Sequence, residues 1–219
     1  MTKIIFVILG LIALTILINL LWRTFSNHHS LPCPAWLGWM VELDNPFTRV
    51  SRADFIVEHL QIQPGMHILD AGCGPGRVTL PLARAVGPRG EVVALDMQQD
   101  MLEQVRGKAE AAEISSIRTL QADLGRGNLP KEEYDRAILV SVLGEVPDQA
   151  AALKELYTSL QPGGVLSVTE VIFDPHFQPR SKVQELGSAA GFREKTFLGK
   201  RLAYTMHLEK PGNCKPEQV

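Results

Sequence analysis

The sequence predicts an α/β fold in which helices cover both faces of a mostly parallel sheet. Strand-like and helix-like segments alternate along the chain after residue 66. A glycine-rich run, Asp70-Ala-Gly-Cys-Gly-Pro-Gly76, follows the apolar stretch Met66-His-Ile-Leu69, which is typical of a buried strand. Two closing strand-like segments are separated by a tight turn. Such alternation is typical of a parallel sheet with helices on both faces, and the closing pair predicts one antiparallel strand.

The elements follow in order along the chain. A leading helix is predicted over Phe47 to Leu60, whose apolar residues fall mostly on one face, and Gln63-Pro-Gly65 ends it. Asp148 is a plausible N-cap for a later helix, which Pro162-Gly-Gly164 ends. Strands are predicted at residues 67–71, 91–96, 117–121, 134–140 and 165–171, and helices at 77–86, 100–113, 149–160 and 182–190.

The last two strands are predicted at residues 192–198 and 202–209, joined by a tight Gly199-Lys200 turn. An antiparallel hairpin of this kind makes one member run against the rest of the sheet.

Length and composition favour one well-buried domain with a small appendage. The chain has 219 residues, of which 45% are hydrophobic and 21% charged, and its net charge is -2. Basic residues are scattered, so we expect no nucleic-acid partner. The three cysteines are far apart and lack metal-ligand spacing, which predicts neither a disulfide framework nor a metal site and favours a reducing compartment.

The amino terminus predicts a membrane anchor over residues 1–23. The run from Ile4 to Trp22 contains no charge and as a helix would reach roughly 28 Å, close to the thickness of a bilayer core. A secretory signal peptide is an alternative, but the apolar run is longer than the usual stretch of about 7–15 residues and no cleavage site follows. A buried core helix is a further alternative, although the segment has no polar face.

The remaining boundaries follow from composition. Residues 24–45 form a predicted juxtamembrane linker rich in Pro and Trp, 46–210 the folded domain and 211–219 a disordered tail. Lys3 lies on one flank of the anchor, and Arg23, Arg49 and Arg52 on the other. The positive-inside rule therefore favours a single-pass protein with a cytoplasmic domain.

The glycine-rich run is the first candidate site. Gly72, Gly74 and Gly76 can adopt backbone angles closed to other residues and leave backbone amides open to a ligand, and Asp70 adds a carboxylate at the mouth of the loop. Ligands of such sheets bind at the carboxyl ends of the strands, where Asp96, Asp123 and the stretch Ser141 to Pro147 also lie.

The acidic residues discriminate between ligands. Asp96 follows Gly76 by 20 residues, the spacing at which an acid accepts hydrogen bonds from ribose hydroxyls. Met97 beside it suits an adenine face or the core equally well. A dinucleotide binder uses loop amides to hold a diphosphate, which Asp70 would repel, so the loop favours a cationic ligand.

These motifs resemble those of the class I S-adenosylmethionine-dependent methyltransferases from about Asn45 to Leu208. The resemblance implies a Rossmann-like seven-stranded sheet of order 3-2-1-4-5-7-6 with the last strand antiparallel, and S-adenosylmethionine as cofactor. The residue matching Asp96 holds the ribose hydroxyls in that family. The one matching Asp123 reads the adenine with the next amide, that of Leu124. The matching motifs are Leu69 to Gly76, Val93-Ala-Leu-Asp96, Gln121-Ala-Asp123 and Leu160-Gln-Pro-Gly-Gly164.

Within that family the chain is most similar to the small-molecule branch that includes ubiquinone and menaquinone methyltransferases. The segment after the fourth strand often reads Leu-His-His-x-x-Asp in that branch. This chain has Val142-Leu-Gly-Glu-Val-Pro-Asp148, so Gly144 and Glu145 stand where the branch has histidines.

The acceptor side offers two candidate catalytic residues. Methyl transfer from a sulfonium needs alignment for in-line displacement, and a base only for a protonated acceptor. Glu145 is the candidate for contacting or deprotonating the acceptor, with helix capping as the alternative. His176, which follows the fifth strand together with Glu170 and Asp174, is a candidate base or a plain loop histidine.

These observations predict a membrane-anchored methyltransferase that acts on a small amphiphilic or lipid-like acceptor. Only Phe173 to Ser181 separates the fifth strand from the next helix, which leaves little material to cap the acceptor site. An NAD-dependent oxidoreductase and a non-catalytic S-adenosylmethionine-binding protein are the alternatives.

Overall fold

The computed structural model of this protein describes residues 48–212 together with Phe6, Gly10, Leu14, Leu17 and Glu42. Apart from those five positions, the predicted anchor (1–23) and linker (24–45) lie outside the described residues, and so does the predicted tail beyond residue 212. Among the residues described, no helix combines the length and the apolar character that a membrane crossing requires.

Seven strands form one sheet of order β3-β2-β1-β4-β5-β7-β6, as predicted. Neighbours from β3 across to β5 pair in parallel, whereas β7 runs antiparallel to both β5 and β6. The strands are β1 (His67–Ala71), β2 (Glu91–Asp96), β3 (Ile117–Gln121), β4 (Tyr134–Val140), β5 (Leu160–Val171), β6 (Arg193–Lys200) and β7 (Ala203–Glu209).

Five described α-helices cover the two faces of the sheet. They are α1 (Ala53–His59), α2 (Thr79–Val86), α3 (Gln99–Ala111), α4 (Gln149–Ser159) and α5 (Arg180–Ala190). Helices α1, α2 and α3 pack on one face, where Ile68, Val92 and Ile138 are buried. Helices α4 and α5 pack on the other, over Leu69 and Leu139. Successive strand residues point to opposite faces, so Asp70 and Asp96 lie on the α2 side.

Several predicted boundaries shift by a few residues, and for three of them the structure shows the physical reason. The leading helix is shorter than predicted because Arg52 is extended, with ψ of 146°, and separates α1 from a 3-10 turn at Arg49–Ser51. Strand β5 begins at Leu160 instead of residue 165, because Gly163 donates to the Lys210 carbonyl at 2.8 Å and Lys210 donates back to Gly164. Since Lys200 pairs with Ala203, the closing turn lies at residues 201–202 and not at Gly199-Lys200.

The predicted cap of α4 is confirmed. Asp148 precedes this helix, and its Oδ1 accepts a hydrogen bond from the Ala151 amide at 2.9 Å. The cap fixes where the chain leaves the loop after β4, which carries several of the candidate site residues.

Candidate cofactor and acceptor site

The glycine loop leaves β1 in a conformation that requires glycine. Gly72, Gly74 and Gly76 have φ of 75°, 51° and 93°. At Gly72 a Cβ atom would also lie 2.5 Å from Cγ2 of Val142, so the loop after β4 packs directly on the loop after β1. The structure thus brings together two predicted parts of the site that lie about seventy residues apart in sequence.

The backbone amides of this loop are all used inside the protein. Gly72 and Cys73 both donate to the Leu95 carbonyl, at 2.7 and 2.9 Å, and Gly76 donates to Cys73 at 3.1 Å. Gly74 donates to Oδ2 of Asp96 at 2.9 Å, and Pro75 has no amide hydrogen. The loop from Gly72 to Gly76 therefore has no spare N–H group for a diphosphate, contrary to our expectation of open amides.

Two carboxylates are buried next to the loop. Oδ2 of Asp70 accepts a hydrogen bond from the Thr79 hydroxyl at 2.6 Å, and Oδ1 of Asp96 accepts one from the Gln98 amide at 2.9 Å. The pKa of Asp70 is raised to about 6, mainly by burial, with the nearby Asp96 acting in the same direction. Burial likewise raises the pKa of Asp96. Each oxygen of Asp96 keeps a lone pair for a further donor, such as a ribose hydroxyl.

Cys73 of the glycine loop lies in the same negatively charged surroundings, next to Asp70 and Asp96. Burial raises the pKa of its thiol far above the usual range, and the charges of Asp70 and Asp96 add to that effect. Its Sγ donates to the Gly74 carbonyl at 3.4 Å. A thiol so placed packs the loop and carries little thiolate at neutral pH.

The ends of β2 and β3 form the open rim of the site. Ala122 donates to the Asp96 carbonyl at 3.2 Å, and the Gln121 side chain donates to the Met97 carbonyl at 3.1 Å. Met97 is 51% exposed, which favours the ligand-facing role over the core. Asp123 is also exposed, and Leu124 is half-buried. These residues lie at the edge where the resemblance places an adenine.

Ser141 ends β4 with a positive φ of 57°, which is uncommon outside glycine. Its amide donates to the Thr169 carbonyl of β5 at 2.9 Å, which holds it in this conformation. Backbone strain of this kind tends to occur at functional sites. Neither composition nor spacing indicates it, because the conformation is imposed by the neighbouring strand.

The two predicted catalytic residues, Glu145 and His176, lie side by side. Nδ1 of His176 is 3.7 Å from Oε1 of Glu145 and 3.9 Å from Oδ1 of Asp174. The imidazole is buried, whereas the Glu145 side chain is only half-buried. Of the two groups, the carboxylate is therefore the one that is open to an acceptor, and the imidazole lies behind it.

The close approach of these loops depends on Gly144. A Cβ atom at this position would overlap the carbonyl oxygen of His176. The Gln178 side chain also donates to that carbonyl at 2.8 Å. A glycine directly before Glu145 is what allows the segment after β5 to lie against the loop after β4.

Glu170 is the functional group that sequence reasoning located without assigning it a role. It is 1% exposed, its Oε2 accepts the Gln178 amide at 3.0 Å, and Oε1 has no partner among the described residues. Burial raises its pKa to about 8, with the charges of Asp174 and Glu145 acting in the same direction. Burial at the end of β5 is a tertiary effect of packing against β7, so the local sequence pattern does not indicate it.

Tyr204 of β7 completes this side of the site. It pairs directly with Glu170 across the two strands, and its hydroxyl donates to the Gln178 carbonyl at 2.7 Å. Its ring stacks on Phe197, with centroids 5.5 Å apart. The Gln178 backbone is thus held by Glu170 and Tyr204 together, which fixes the segment that carries His176.

Comparison with known proteins agrees with this geometry. Residues 68–164 match a family described as a methyltransferase domain. A demethylmenaquinone methyltransferase of Staphylococcus carnosus is 34% identical over 110 residues, which cover 50% of this chain and 45% of that protein. The matched stretch thus spans just under half the length of this relative.

Solved structures share the fold. An S-adenosylmethionine-dependent methyltransferase from Aquifex aeolicus superposes with a TM-score of 0.72 at 18% identity, covering 82% of this chain and 100% of that one. The 4+2 cyclase SpnF superposes with a TM-score of 0.66 at 18% identity, covering 73% of this chain and 80% of that one. The second neighbour illustrates that this fold also serves other chemistry.

The comparisons agree with the predicted kind of domain. Residues 68–164 match a methyltransferase-domain family, and the solved neighbour from Aquifex aeolicus is an S-adenosylmethionine-dependent methyltransferase. This stretch contains both the glycine loop and the loop after β4, whereas the segment after β5 and strand β7 lie beyond it.

Proposed function

We propose that this protein is a membrane-anchored, S-adenosylmethionine-dependent methyltransferase that transfers a methyl group to a small amphiphilic or lipid-like acceptor. The catalytic domain is cytoplasmic in this proposal. The acceptor approaches along the loops after β4 and β5.

The main observation behind the proposal is that the glycine loop has no free backbone amide and lies beside two buried carboxylates. Its amides donate within the protein, and buried Asp70 and Asp96 lie beside it. A diphosphate would find no free donor and two repelling charges there. A cofactor with a sulfonium and an ammonium group is matched by that negative potential, whereas a nicotinamide dinucleotide is not.

The residues present fit S-adenosylmethionine on the chemistry of their donors and acceptors. Asp96 has lone pairs for ribose hydroxyls, Met97 offers an exposed thioether to an adenine face, and Asp123 with the Leu124 amide suits the adenine edge. Asp70 and Ser141 flank the loop on the methionine side. When bound, the cofactor supplies an electrophilic methyl group.

On the acceptor side the chain orients the acceptor and moves its proton. Glu145 is half-buried at the loop after β4 and accepts a proton at a carboxylate oxygen when the acceptor arrives protonated. His176 lies 3.7 Å from that carboxylate and orients it. Close packing of the loops after β4 and β5 holds Glu145 and His176 in a fixed position for an incoming acceptor.

Calorimetry with three ligands tests the cofactor assignment. We expect S-adenosylmethionine and S-adenosylhomocysteine to bind the full chain and NAD to give no saturable heat. Binding of NAD alone would overturn the proposal in favour of an oxidoreductase.

A second measurement tests catalysis. The full chain is incubated with a membrane extract and cofactor labelled in the methyl group, and the labelled product is identified. We expect a labelled amphiphile, with label lost in the Glu145→Gln variant at unchanged cofactor affinity. Cofactor binding without any labelled product would favour the non-catalytic alternative.

The demethylmenaquinone methyltransferase of S. carnosus makes a quinol one test substrate. Gly144 and Glu145 replace the histidines typical of the quinone branch, so the acceptor contacts here differ at that point. Turnover on a demethylated quinol is therefore compared with turnover on amphiphilic phenols and thiols.

The apolar run from Ile4 to Trp22 supports the membrane part of the proposal. Deleting residues 1–27 should reduce turnover on a membrane-embedded acceptor much more than turnover on a water-soluble analogue. Equal loss on both acceptors would contradict access from the bilayer.

A further inference from the structure

A second cavity opens on the α1 face of the sheet, away from the cofactor loop. It has a volume of about 290 Å³ and lies between the end of α1 and strands β4 to β7. None of the residues assigned above to the cofactor or acceptor lines it. Its walls combine apolar surface, as at Leu60 and Val165, with the polar side chains of Glu58, His59, Arg136, Lys195, Thr196 and His207.

Arg136 is fixed at the floor of this cavity. Its Nε donates to the Leu60 carbonyl at 3.0 Å and its Nη1 to the Asp135 carbonyl at 2.8 Å. Burial lowers the pKa of the guanidinium, although a guanidinium stays charged at any physiological pH. Two carbonyls hold the side chain in place, and among the described residues Nη2 has no hydrogen-bond partner.

His207 and Ser167 are unpartnered beside it. They face each other across β5 and β7, both are buried, and His207 is 5% exposed. Neither Nε2 of His207 nor Oγ of Ser167 has a hydrogen-bond partner among the described residues. Native proteins rarely leave two adjacent buried polar atoms unsatisfied, so they indicate a missing ligand.

The charges around the cavity favour an anion. The pKa of His207 is lowered to about 4, mainly by burial, with its neighbours His59, Arg136 and Lys195 acting in the same direction. Two acids balance this charge in part. Glu209 binds Lys195 at 2.5 Å, and Glu58 is mostly exposed, 4.0 Å from His59. The fixed positive charges at the cavity are those of Arg136 and Lys195. The uncharged polar atoms beside them, His207 Nε2 and Ser167 Oγ, make no hydrogen bond within the described residues.

We infer that this cavity binds an oxyanion of the phosphate type. A tetrahedral phosphate presents several strong acceptor oxygens, which match the Arg136 guanidinium and the Lys195 ammonium at this cavity, with the buried, unpartnered His207 imidazole beside them. The phosphate belongs either to the headgroup of an anionic phospholipid or to a small soluble molecule. The first source would orient the domain against a bilayer.

Calorimetry on the full chain in neutral maltoside micelles tests this inference. Inorganic phosphate and monomeric dihexanoyl phosphatidylglycerol are titrated separately. We expect saturable binding, weakened about tenfold or more in the Lys195→Gln variant because a charge-assisted hydrogen bond is lost. Lys195 is exposed, so this substitution spares the fold.

The matched control is Lys200→Gln, which removes an exposed lysine at the far end of the same strand. We expect it to bind phosphate as the wild type does. His207→Asn tests the buried donor and should also weaken binding, while S-adenosylmethionine affinity stays unchanged in all three variants as evidence of folding.

Each outcome decides the inference. Tighter binding of the phosphatidylglycerol points to the lipid source, and equal binding of the two ligands points to a free phosphate group. No saturable binding by the wild type, or equal weakening in Lys195→Gln and Lys200→Gln, would overturn it. Since cofactor binding is measured separately, failure here leaves the methyltransferase proposal intact.

Discussion

The cofactor side and the acceptor side of the site are built differently. On the cofactor side the groups are backbone amides and two aspartates whose hydrogen bonds are satisfied within the protein, as Gly74 and Asp96 illustrate. On the acceptor side, side chains dominate, and Glu170 keeps a buried oxygen without a partner among the described residues. The cofactor side is therefore preformed for one ligand. The acceptor side keeps polar groups whose role depends on the acceptor.

This difference between the two sides indicates which residues determine cofactor binding and which determine the choice of acceptor. Backbone geometry fixes the cofactor loop, so its residues tolerate little change in shape. The acceptor side is held by a few side-chain contacts, such as the Tyr204 hydroxyl on the Gln178 carbonyl at 2.7 Å. Substitution there should alter proton affinity and turnover more than it alters the fold.

The largest effect is expected from Gly72→Ala. The residue has a φ of 75°, and the new methyl group would lie 2.5 Å from a Val142 methyl. Strain and overpacking together should lower the free energy of unfolding by about 2–4 kcal/mol, measured by urea denaturation.

Gly127→Ala is the matched control for this substitution. Its φ is 76°, but among the described residues no atom other than those of its chain neighbours lies within 4 Å of the added carbon. We expect a loss of about 1 kcal/mol from backbone strain alone. Equal losses in the two variants would contradict the proposed packing between the loops after β1 and β4.

Asp96→Asn should weaken S-adenosylmethionine binding by about 2 kcal/mol, because the carboxylate accepts from Gly74 and Gln98 and an amide offers one acceptor only. Calorimetry measures the effect. Asp100→Asn, an exposed neighbour on α3, should leave the affinity unchanged. Equal affinity of all three proteins would remove Asp96 from the cofactor site.

Glu170→Gln should change how stability depends on pH. The pKa of Glu170 is about 8 in the folded protein, against 4.5 ordinarily, so the folded state holds more protons between these values. This contribution to the free energy of unfolding therefore falls as pH rises from about 4.5 to 8 and levels off above that. The glutamine variant should become more stable relative to the wild type across that window, as measured by denaturation at several pH values.

Other groups titrate in the same window and are unchanged in the variant. Asp70, with a pKa of about 6, acts in the same direction as Glu170, whereas His207, lowered to about 4, makes stability rise with pH up to about 6.5. The difference between wild type and variant isolates Glu170. A difference that is constant with pH would show that Glu170 is already ionised in the folded protein.

The smallest effect is expected from Met97→Ala. The side chain is 51% exposed, so the free energy of unfolding should change by less than about 0.5 kcal/mol. A modest loss of cofactor affinity with unchanged stability would support its place against the adenine. A large loss of stability would instead assign Met97 to the core.

The sequence predicted the order of the sheet closely because the positions of its strands follow from local patterns. Strands His67–Ala71 and Glu91–Asp96 have the predicted bounds, and the Asp148 cap is where the pattern places it. The acceptor side was predicted less completely. The burial of Glu170 and the strained Ser141 arise from contacts between β4, β5 and β7, which no local pattern encodes.

The predicted start of strand β5 is wrong for a similar reason, which is a contact between distant parts of the chain. Pro162-Gly-Gly164 reads as a helix stop, yet its backbone pairs with Lys210, nearly fifty residues later in the chain. Long-range pairing of this kind overrides local turn preference. The amides of the glycine loop are a further example, because their internal acceptors at Leu95 and Asp96 become visible only in three dimensions.

The contact at Gly144 constrains the order in which this protein can diverge. A side chain at residue 144 would overlap the His176 carbonyl, so a histidine cannot arise there while the segment from His176 to Gln178 keeps its path. A lineage moving toward the histidine pair of the quinone branch must first shift that segment. The identity of residue 144 and the path of the segment after β5 are therefore coupled, so that a change in one requires a change in the other.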